Sequence, residues 1–306
     1  MMERKKVIVF GGSGFLGSHV SDELTKNDYD VFIFDIKKSP YFQTNQTMII
    51  GNILDKDLVR ETIKGAFAVF HFAAIADIEE AKNNPLETVN YNVIGTINIL
   101  EACKEYDIKR FIYASTIYVY SDHGSFYRSS KQACELFIEN YQKEYNLNFT
   151  ILRYGSLYGS RANDFNFIRN CIRQALLEGV ITRNGDGKEV RDYINIVDAA
   201  KASINALDKE YKNSYLMITG SQKMKVREVL LMIKEILNGQ IKINYVNKSF
   251  EGHYKITPYS FKPKVARKIT PKDYHDLGQG ILDSIYEIYQ ELVNEGLNPQ
   301  KTFREK

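Results

Sequence analysis

The 306-residue chain has only three cysteines, and Cys103, Cys134 and Cys171 form neither a metal-ligand spacing nor a disulfide framework. This excludes a disulfide-stapled scaffold, gives no reason to expect a metal centre, and fits a reducing, cytoplasmic location. Charge of one sign is also scarce: 41 Lys and Arg against 38 Asp and Glu leave a net charge of +3. An excess that small and scattered is no nucleic-acid footprint, though it suits an anionic small substrate. Long apolar runs are missing too. The chain starts with charges at Glu3, Arg4, Lys5 and Lys6, and the run behind them is only Val7 to Phe10. That is too short for a signal peptide or a membrane span. There is no internal repeat and no low-complexity segment. The 44% hydrophobic content is enough for one large core with a smaller lobe.

What is present begins at the N-terminus. A strand pattern over 6–10 runs into G-G-S-G-F-L-G, with glycines at Gly11, Gly14 and Gly17, and a helix opens there. The first glycine allows a tight turn, the second lets the backbone approach a pyrophosphate, and the third lets helix pack on strand. A diphosphate can then rest on unpaired N–H groups at the helix N-terminus. The next strand, 30–34, ends at Asp35, 18 residues after Gly17, with Ile36 beside it. A carboxylate there accepts from adenosine ribose hydroxyls and repels a 2′-phosphate. The motif therefore names a ligand, NAD, and disfavours NADP.

Apolar runs at 6–10, 30–34, 47–50, 67–72, 110–115 and 149–153 alternate with amphipathic stretches at 14–27, 55–64, 85–106 and 127–145. Continuous Val/Ile/Phe runs suit strands covered on both faces, and the alternation predicts an α/β fold, a Rossmann-type doubly wound parallel sheet. The pattern weakens after about Gly155. Helices are expected at 166–178, 197–208 and 226–238, and strands at 180–182, 215–218 and 241–246. These later segments read as a smaller C-terminal substrate-binding lobe. The expected division is 1–160 for the NAD-binding domain, with segments near 190–210 returning to it, 161–295 mainly for the lobe, and a frayed tail over 296–306.

The chemistry lies at the end of the fifth strand. A-S-T ends at Thr116, and 11 residues on, Y-R-S-S-K opens a helix with Tyr127 and Lys131 at i and i+4 on one face. A phenol normally titrates near 10, too high for a base at neutral pH. A nearby ammonium, together with a positive nicotinamide ring, favours phenolate. Tyr127 could then take a proton from a substrate alcohol while hydride leaves the same carbon, with Thr116 holding that alcohol in line. Of the 21 tyrosines only Tyr127 has a lysine four residues on. The competing reading is an unremarkable surface-helix pair.

With these residues in view, the chain resembles the extended short-chain dehydrogenase/reductases, in the NAD-dependent epimerase/dehydratase family that acts on nucleotide sugars and includes the UDP-galactose 4-epimerase type. Further motifs carry the resemblance in order: H-F-A-A from His71 to Ala74, N-V-I-G-T from Asn92 to Thr96, L-R-Y-G-S-L-Y-G from Leu152 to Gly159, and R-D-Y-I-N-I-V-D from Arg191 to Asp198. The resemblance implies that backbone N–H groups of Phe15 and Leu16 meet the NAD diphosphate. It puts Asn52 and Ile53 at the adenine, where Asn52 stands in place of the family's usual Asp. The backbone of Phe72, Ala73 and Ala74 lines the cofactor, Lys131 also bridges the nicotinamide ribose, and Tyr154 borders the carboxamide. On the substrate side it implies Thr116, Ser156 (where the family often has Asn) and Arg191, which grips the sugar-nucleotide diphosphate. Two roles are open for Asn92, a cofactor contact or a tie from helix to loop. His71 reads either as a base or as a core histidine, Asp198 as a helix N-cap, and Arg191 alternatively as a surface ion pair. A homodimer through the helices 85–106 and 127–145 is also implied, with Ile97, Leu100, Leu136 and Phe137 as candidate outer-face or core residues.

The family's dehydratases carry Asp-Glu directly after the Thr, and its decarboxylases carry a Glu nearby. Here Ile117 and Tyr118 follow Thr116, with no carboxylate. That disfavours dehydration and leaves oxidation at C4: a nucleotide-sugar 4-epimerase, or alternatively a C4 dehydrogenase or 4-ketoreductase. A non-catalytic NAD sensor would typically lack the Tyr and Lys. The segment between Thr116 and Tyr127 is short for the family, which implies a more open pocket, able either to admit a larger sugar such as a heptose or to let the keto intermediate rotate.

Overall fold

The computed structural model describes residues 4–221, 223–246, 252–260, 263–271 and 273–299. In chain order its elements are β1 (Lys6–Phe10), α1 (Phe15–Lys26), β2 (Asp30–Asp35), β3 (Thr47–Ile50), α2 (Lys56–Ile63), β4 (Ala68–His71), α3 (Ile78–Asn83), α4 (Pro85–Thr88), a π-helical turn (Val89–Ile94) and α5 (Gly95–Glu105). Then come β5 (Arg110–Thr116), a 3-10 turn (Ile117–Tyr120), α6 (Ser125–Tyr145), β6 (Phe149–Tyr154), β7 (Ser156–Tyr158), α7 (Phe167–Glu178), β8 (Val180–Asn184), β9 (Val190–Asn195) and α8 (Ile196–Asn205). A short 3-10 turn (Lys209–Tyr211), β10 (Ser214–Ile218), β11 (Lys223–Lys225), α9 (Val226–Ile236), β12 (Lys242–Val246), β13 (Arg267–Ile269) and α10 (Leu277–Asn294) complete the set.

The chain divides into two compact units. The first runs up to Tyr154 and takes back 199–218 and 258–269. Its boundary differs from the expected 160 because the chain leaves the sheet as soon as β6 ends. The return is also longer than expected, since 258–269 supplies the edge strand β13. All eight strands are parallel, in the order β13-β10-β6-β5-β4-β1-β2-β3. Sequence order reverses at β1/β4, where the crevice at the strand ends takes ligands. β4 and β6 are buried throughout, as strands covered on both faces are, and their polar members His71, Thr150 and Arg153 are hydrogen-bonded. Phe10, Phe34, Ile99, Leu100, Phe111 and Tyr113 belong to the unit's core. Leu100 is thus a core residue, whereas Leu136 and Phe137 are exposed. The expected helix over 85–106 exists but is interrupted by the π turn, which carries Asn92.

The second unit comprises 155–198, 219–257 and the residues from Thr270 on. It pairs β7 with β9 in parallel, β9 with β11 antiparallel, and β8 with β12 in parallel. Ile172, Leu176, Leu230, Ile233, Ile281 and Ile285 are in its core. The sequence reading had no helix at α10 and no strands at β7 and β9. α10 has an ordinary signal: Asp276 caps the Gly278 and Gln279 amides, and Leu277, Ile281, Ile285, Ile288 and Leu292 recur at helical spacing. Asp198 lies inside the first turn of α8, where its carboxylate accepts from the His275 backbone at 2.7 Å and faces the His275 ring at 2.8 Å. Its carboxylate thus binds a distant loop, in place of the expected N-cap. Of the expected frayed tail, Pro299 is buried, and 300–306 lie outside the described residues. No helix among the described residues is long and apolar enough to cross a membrane.

Candidate active site

The glycine loop is built as its spacing predicts. Gly11 has φ +78°, and a Cβ there would sit 2.5 Å from the Ala73 amide nitrogen. A Cβ on Gly17 would be 2.1 Å from the Gly11 carbonyl, so α1 can seat on β1 only with glycine at this point. Gly14 is the N-cap of α1, with no side-chain cap and no acid in the first turn. The N–H groups of the first turn, including Phe15 and Leu16, therefore lack intrahelical partners and face no competing anion of their own helix. A cleft of about 400 Å³ opens beside them, lined by Gly11, Gly14, Asp35, Ile36, Asn52, Ile53, Phe72, Ala73 and Ala74 among others.

Asp35 ends β2, and each carboxylate oxygen accepts one backbone amide, Ser13 at 3.0 Å and Lys37 at 3.3 Å. A carboxylate has about four acceptor sites, so capacity for two ribose hydroxyls remains. Asn52 Oδ1 accepts from the Leu54 amide at 2.9 Å, which leaves that oxygen's other lone pair for an adenine amine. The donor set and the uncapped helix fit a dinucleotide. Ile75, Glu80, Glu87 and Tyr91 also line the cleft. The sequence reading missed them because only the fold brings α3 and the π turn to the sheet edge.

Asn92 has the hydrogen bonds of a tie. It accepts from the Ile75 amide at 2.7 Å and donates to the Ile75 carbonyl at 3.0 Å and to Ser130 Oγ at 2.9 Å. Its amide is 1% exposed, so the cofactor-contact role gives way to holding the loop after β4. His71 is a core histidine. Thr96 Oγ1 donates to the Asn92 carbonyl at 2.6 Å and so accepts from His71 Nε2 at 2.9 Å, which assigns the Nε2–H tautomer. Burial, with the charge of Lys131 adding to it, lowers the imidazole to about 3. The Tyr154 hydroxyl pairs with Ser203 on α8 at 2.6 Å. Ser203 Oγ in turn donates to the Ala199 carbonyl, so Tyr154 is the donor of the pair and leaves no hydroxyl proton for a carboxamide.

Thr116, Tyr127 and Lys131 meet in the first unit. Thr116 is buried at the end of β5 and hydrogen-bonds the Tyr127 hydroxyl. Lys131 is buried, donates from Nζ to the Ala114 carbonyl at 2.8 Å, and lies 4.8 Å from the Tyr113 ring centre and 5.8 Å from that of Tyr127. Burial pushes the Tyr127 phenol up to about 12, with the Thr116 bond opposing, and brings Lys131 down to about 8. Within the protein alone, desolvation outweighs the ammonium, so the expected phenolate depends on the second charge, the positive nicotinamide ring.

Ser156 and Arg191 belong to the second unit. Arg191 is buried, stacks 4.2 Å over the Tyr254 ring and donates to the Val190 carbonyl at 3.0 Å. It is therefore no surface ion pair, and its guanidinium is oriented by an aromatic face. The Tyr254 hydroxyl bonds Ser156. Tyr254 sits in irregular chain and carried no sequence signal. Among the described residues there is no cluster of three or more His, Cys, Asp or Glu that could hold a metal ion.

The model of the family described as "NAD dependent epimerase/dehydratase family" matches residues 7–217. A Methanocaldococcus jannaschii protein with the provisional name UDP-glucose 4-epimerase is 32% identical, over 90% of this chain and 95% of its own. A UDP-N-acetyl-alpha-D-glucosaminuronate decarboxylase of Bacillus cytotoxicus is 30% identical, over 95% of this chain and 100% of its own. The crystal structure of Bacillus cereus UDP-glucuronic acid 4-epimerase, in complex with UDP-glucuronic acid and NAD, superposes with a TM-score of 0.82 at 25% identity, covering 94% of this chain and 99% of that one.

Proposed function

The chain belongs to the NAD-dependent epimerase/dehydratase family, and on that premise we propose that it is a nucleotide-sugar 4-epimerase working through a 4-keto sugar. The observation that carries this reading is the trio Thr116, Tyr127 and Lys131, followed after Thr116 by Ile117 and Tyr118 and not by an acid. Dehydration and decarboxylation need proton transfer at carbons beside the ketone. Ile117 is buried in the core, and Tyr118 is a phenol. The similarity to a decarboxylase is thus one of framework, without the acid such chemistry would use.

Gly11, Gly14 and Gly17 with the amides of Phe15 and Leu16 would hold the diphosphate of NAD, and Asp35 its adenosine ribose. When bound, NAD supplies the hydride acceptor and, in its oxidised form, a positive charge in the same cleft. Thr116 orients the C4 hydroxyl. Tyr127 takes its proton on oxidation and returns one on reduction, with Lys131 as the fixed neighbouring cation. Arg191 would pair with the sugar-nucleotide diphosphate. A homodimer fits the exposed Leu136 and Phe137 on α6, beside a groove of about 230 Å³ lined by Ile97, Phe137 and Tyr141.

The test is incubation of the purified protein, without added NAD, with UDP-glucose, UDP-N-acetylglucosamine, UDP-glucuronate and a nucleotide-heptose, followed by NMR of the products. A C4 epimer is expected. Accumulation of a 4-keto sugar with reduced cofactor would replace this reading by a C4 dehydrogenase, and a pentose product by a decarboxylase.

A further inference from the structure

Glu135 and Arg153 form a buried ion pair that none of these roles uses. Glu135 lies on α6 one turn beyond Lys131 and two beyond Tyr127, so the three share a stripe of the helix. The Glu135 residue is 1% exposed, and Arg153 on β6 is 0% exposed. Arg153 closes a fork on the carboxylate, from Nε to Oε1 at 3.0 Å and from Nη2 to Oε2 at 2.6 Å. Ser115 Oγ donates to the same Oε1 at 2.5 Å. The other arm of Arg153 donates to the Tyr120 hydroxyl and to the Lys264 carbonyl. Its guanidinium lies between two rings, 4.6 Å from Tyr120 and 4.8 Å from Tyr215. The Tyr120 hydroxyl donates to the Lys264 carbonyl at 3.1 Å and accepts from the Ala266 amide at 2.9 Å.

The residues on both sides of Thr116 are therefore tied to one ion pair. Ser115 precedes it, and Tyr120 closes the 3-10 turn that follows it. The carboxylate they share stands on the helix that carries Tyr127 and Lys131. Taking two charges out of water carries a desolvation penalty for each, and well-packed apolar residues of similar volume would often stabilise a core as well or better. An ion pair with every arm satisfied offers directionality, which apolar packing lacks.

We propose that Glu135 and Arg153 are positioning residues, a rigid bracket that holds Thr116 in register with Tyr127 and Lys131. The proposal rests on the reading of those three as catalytic. Glu135 and Arg153 are fully buried and neither lines the cleft beside the glycine loop, so their loss should appear in turnover and not in binding. A displacement of about 1 Å at a reacting group can lower a rate by about a hundredfold.

The experiment uses the NAD-loaded protein and UDP-glucose, or whichever panel sugar turns over. Ser115→Ala removes one hydroxyl from the bracket and leaves both charges paired. It should lower kcat about five- to tenfold with KM and NAD affinity unchanged and only a modest fall in Tm, and Ser115→Thr should restore kcat. Glu135→Gln combined with Arg153→Met removes both charges together and should lower kcat about a hundredfold. The inference is overturned if Ser115→Ala keeps kcat within about twofold of the parent, or if kcat falls only in proportion to Tm and NAD affinity. Should the double variant fail to fold, Ser115→Ala and Ser115→Thr decide alone. Tyr127→Phe is measured alongside: near-normal turnover there removes the catalytic reading itself, whereas an inactive Tyr127→Phe with an unaffected Ser115→Ala removes only the bracket.

Discussion

Burial acts on Tyr127 and Lys131 in opposite directions, because each is pushed toward its neutral form: the phenol goes up to about 12 and the ammonium down to about 8. Tyr127→Phe keeps the ring and removes the proton carrier. Turnover should fall by about two to four orders of magnitude, with NAD binding retained, in a steady-state assay. Lys131 has a folded-state pKa below its unfolded value of 10.5, so its charge destabilises the fold most below about pH 8. That penalty fades as pH rises from about 8 toward 10.5. Lys131→Met, measured without NAD, should therefore raise Tm at pH 7, less the lost bond to the Ala114 carbonyl, and the gain should shrink by pH 10. A gain that grows with pH would contradict the assignment. Asp35→Asn removes the charge that repels a 2′-phosphate while keeping an acceptor. NAD affinity should fall and NADP affinity rise, narrowing the preference by about tenfold in calorimetric titration.

Among elements, the β1–loop–α1 unit tolerates little change. A methyl at Gly17 would meet the Gly11 carbonyl at 2.1 Å, a clash with backbone that no rotamer relieves. Gly17→Ala should destabilise the protein by about 2–4 kcal/mol in urea unfolding and weaken NAD binding more than tenfold. This unit was fully legible in the sequence, because strand, turn and helix start are neighbours and each carries its own local signal. α6 was half legible. The i, i+4 spacing placed Tyr127 beside Lys131, and the same spacing continues to Glu135, a signal that was there to read. What could not be read was that Arg153 and Ser115 complete Glu135, since they come from two other strands. β7 was hidden by its shortness and β9 by the charged Arg191 and Asp192 within it, and α10 was overlooked although its cap and period are ordinary.

For the whole molecule, Leu136 and Phe137 are 59% and 39% exposed on a helix whose opposite face meets the sheet. Phe137→Glu should convert the proposed dimer to a monomer in sedimentation velocity and leave Leu100, in the core, unaffected. A dimer unchanged by the substitution would place the contact elsewhere. Periodicity and motif order sufficed for the parallel sheet, the glycine loop, the acidic end of β2 and the proximity of Thr116, Tyr127 and Lys131, because these depend on residues within one or two turns or one strand-loop-helix step. Other features needed the folded chain. Arg153 reaches Lys264 across 111 residues, the segment 258–269 returns as an edge strand, and Tyr254 orients Arg191. No local period encodes such pairings. They form because buried charges and hydroxyls must find partners, and only the packed core determines which partners lie within reach.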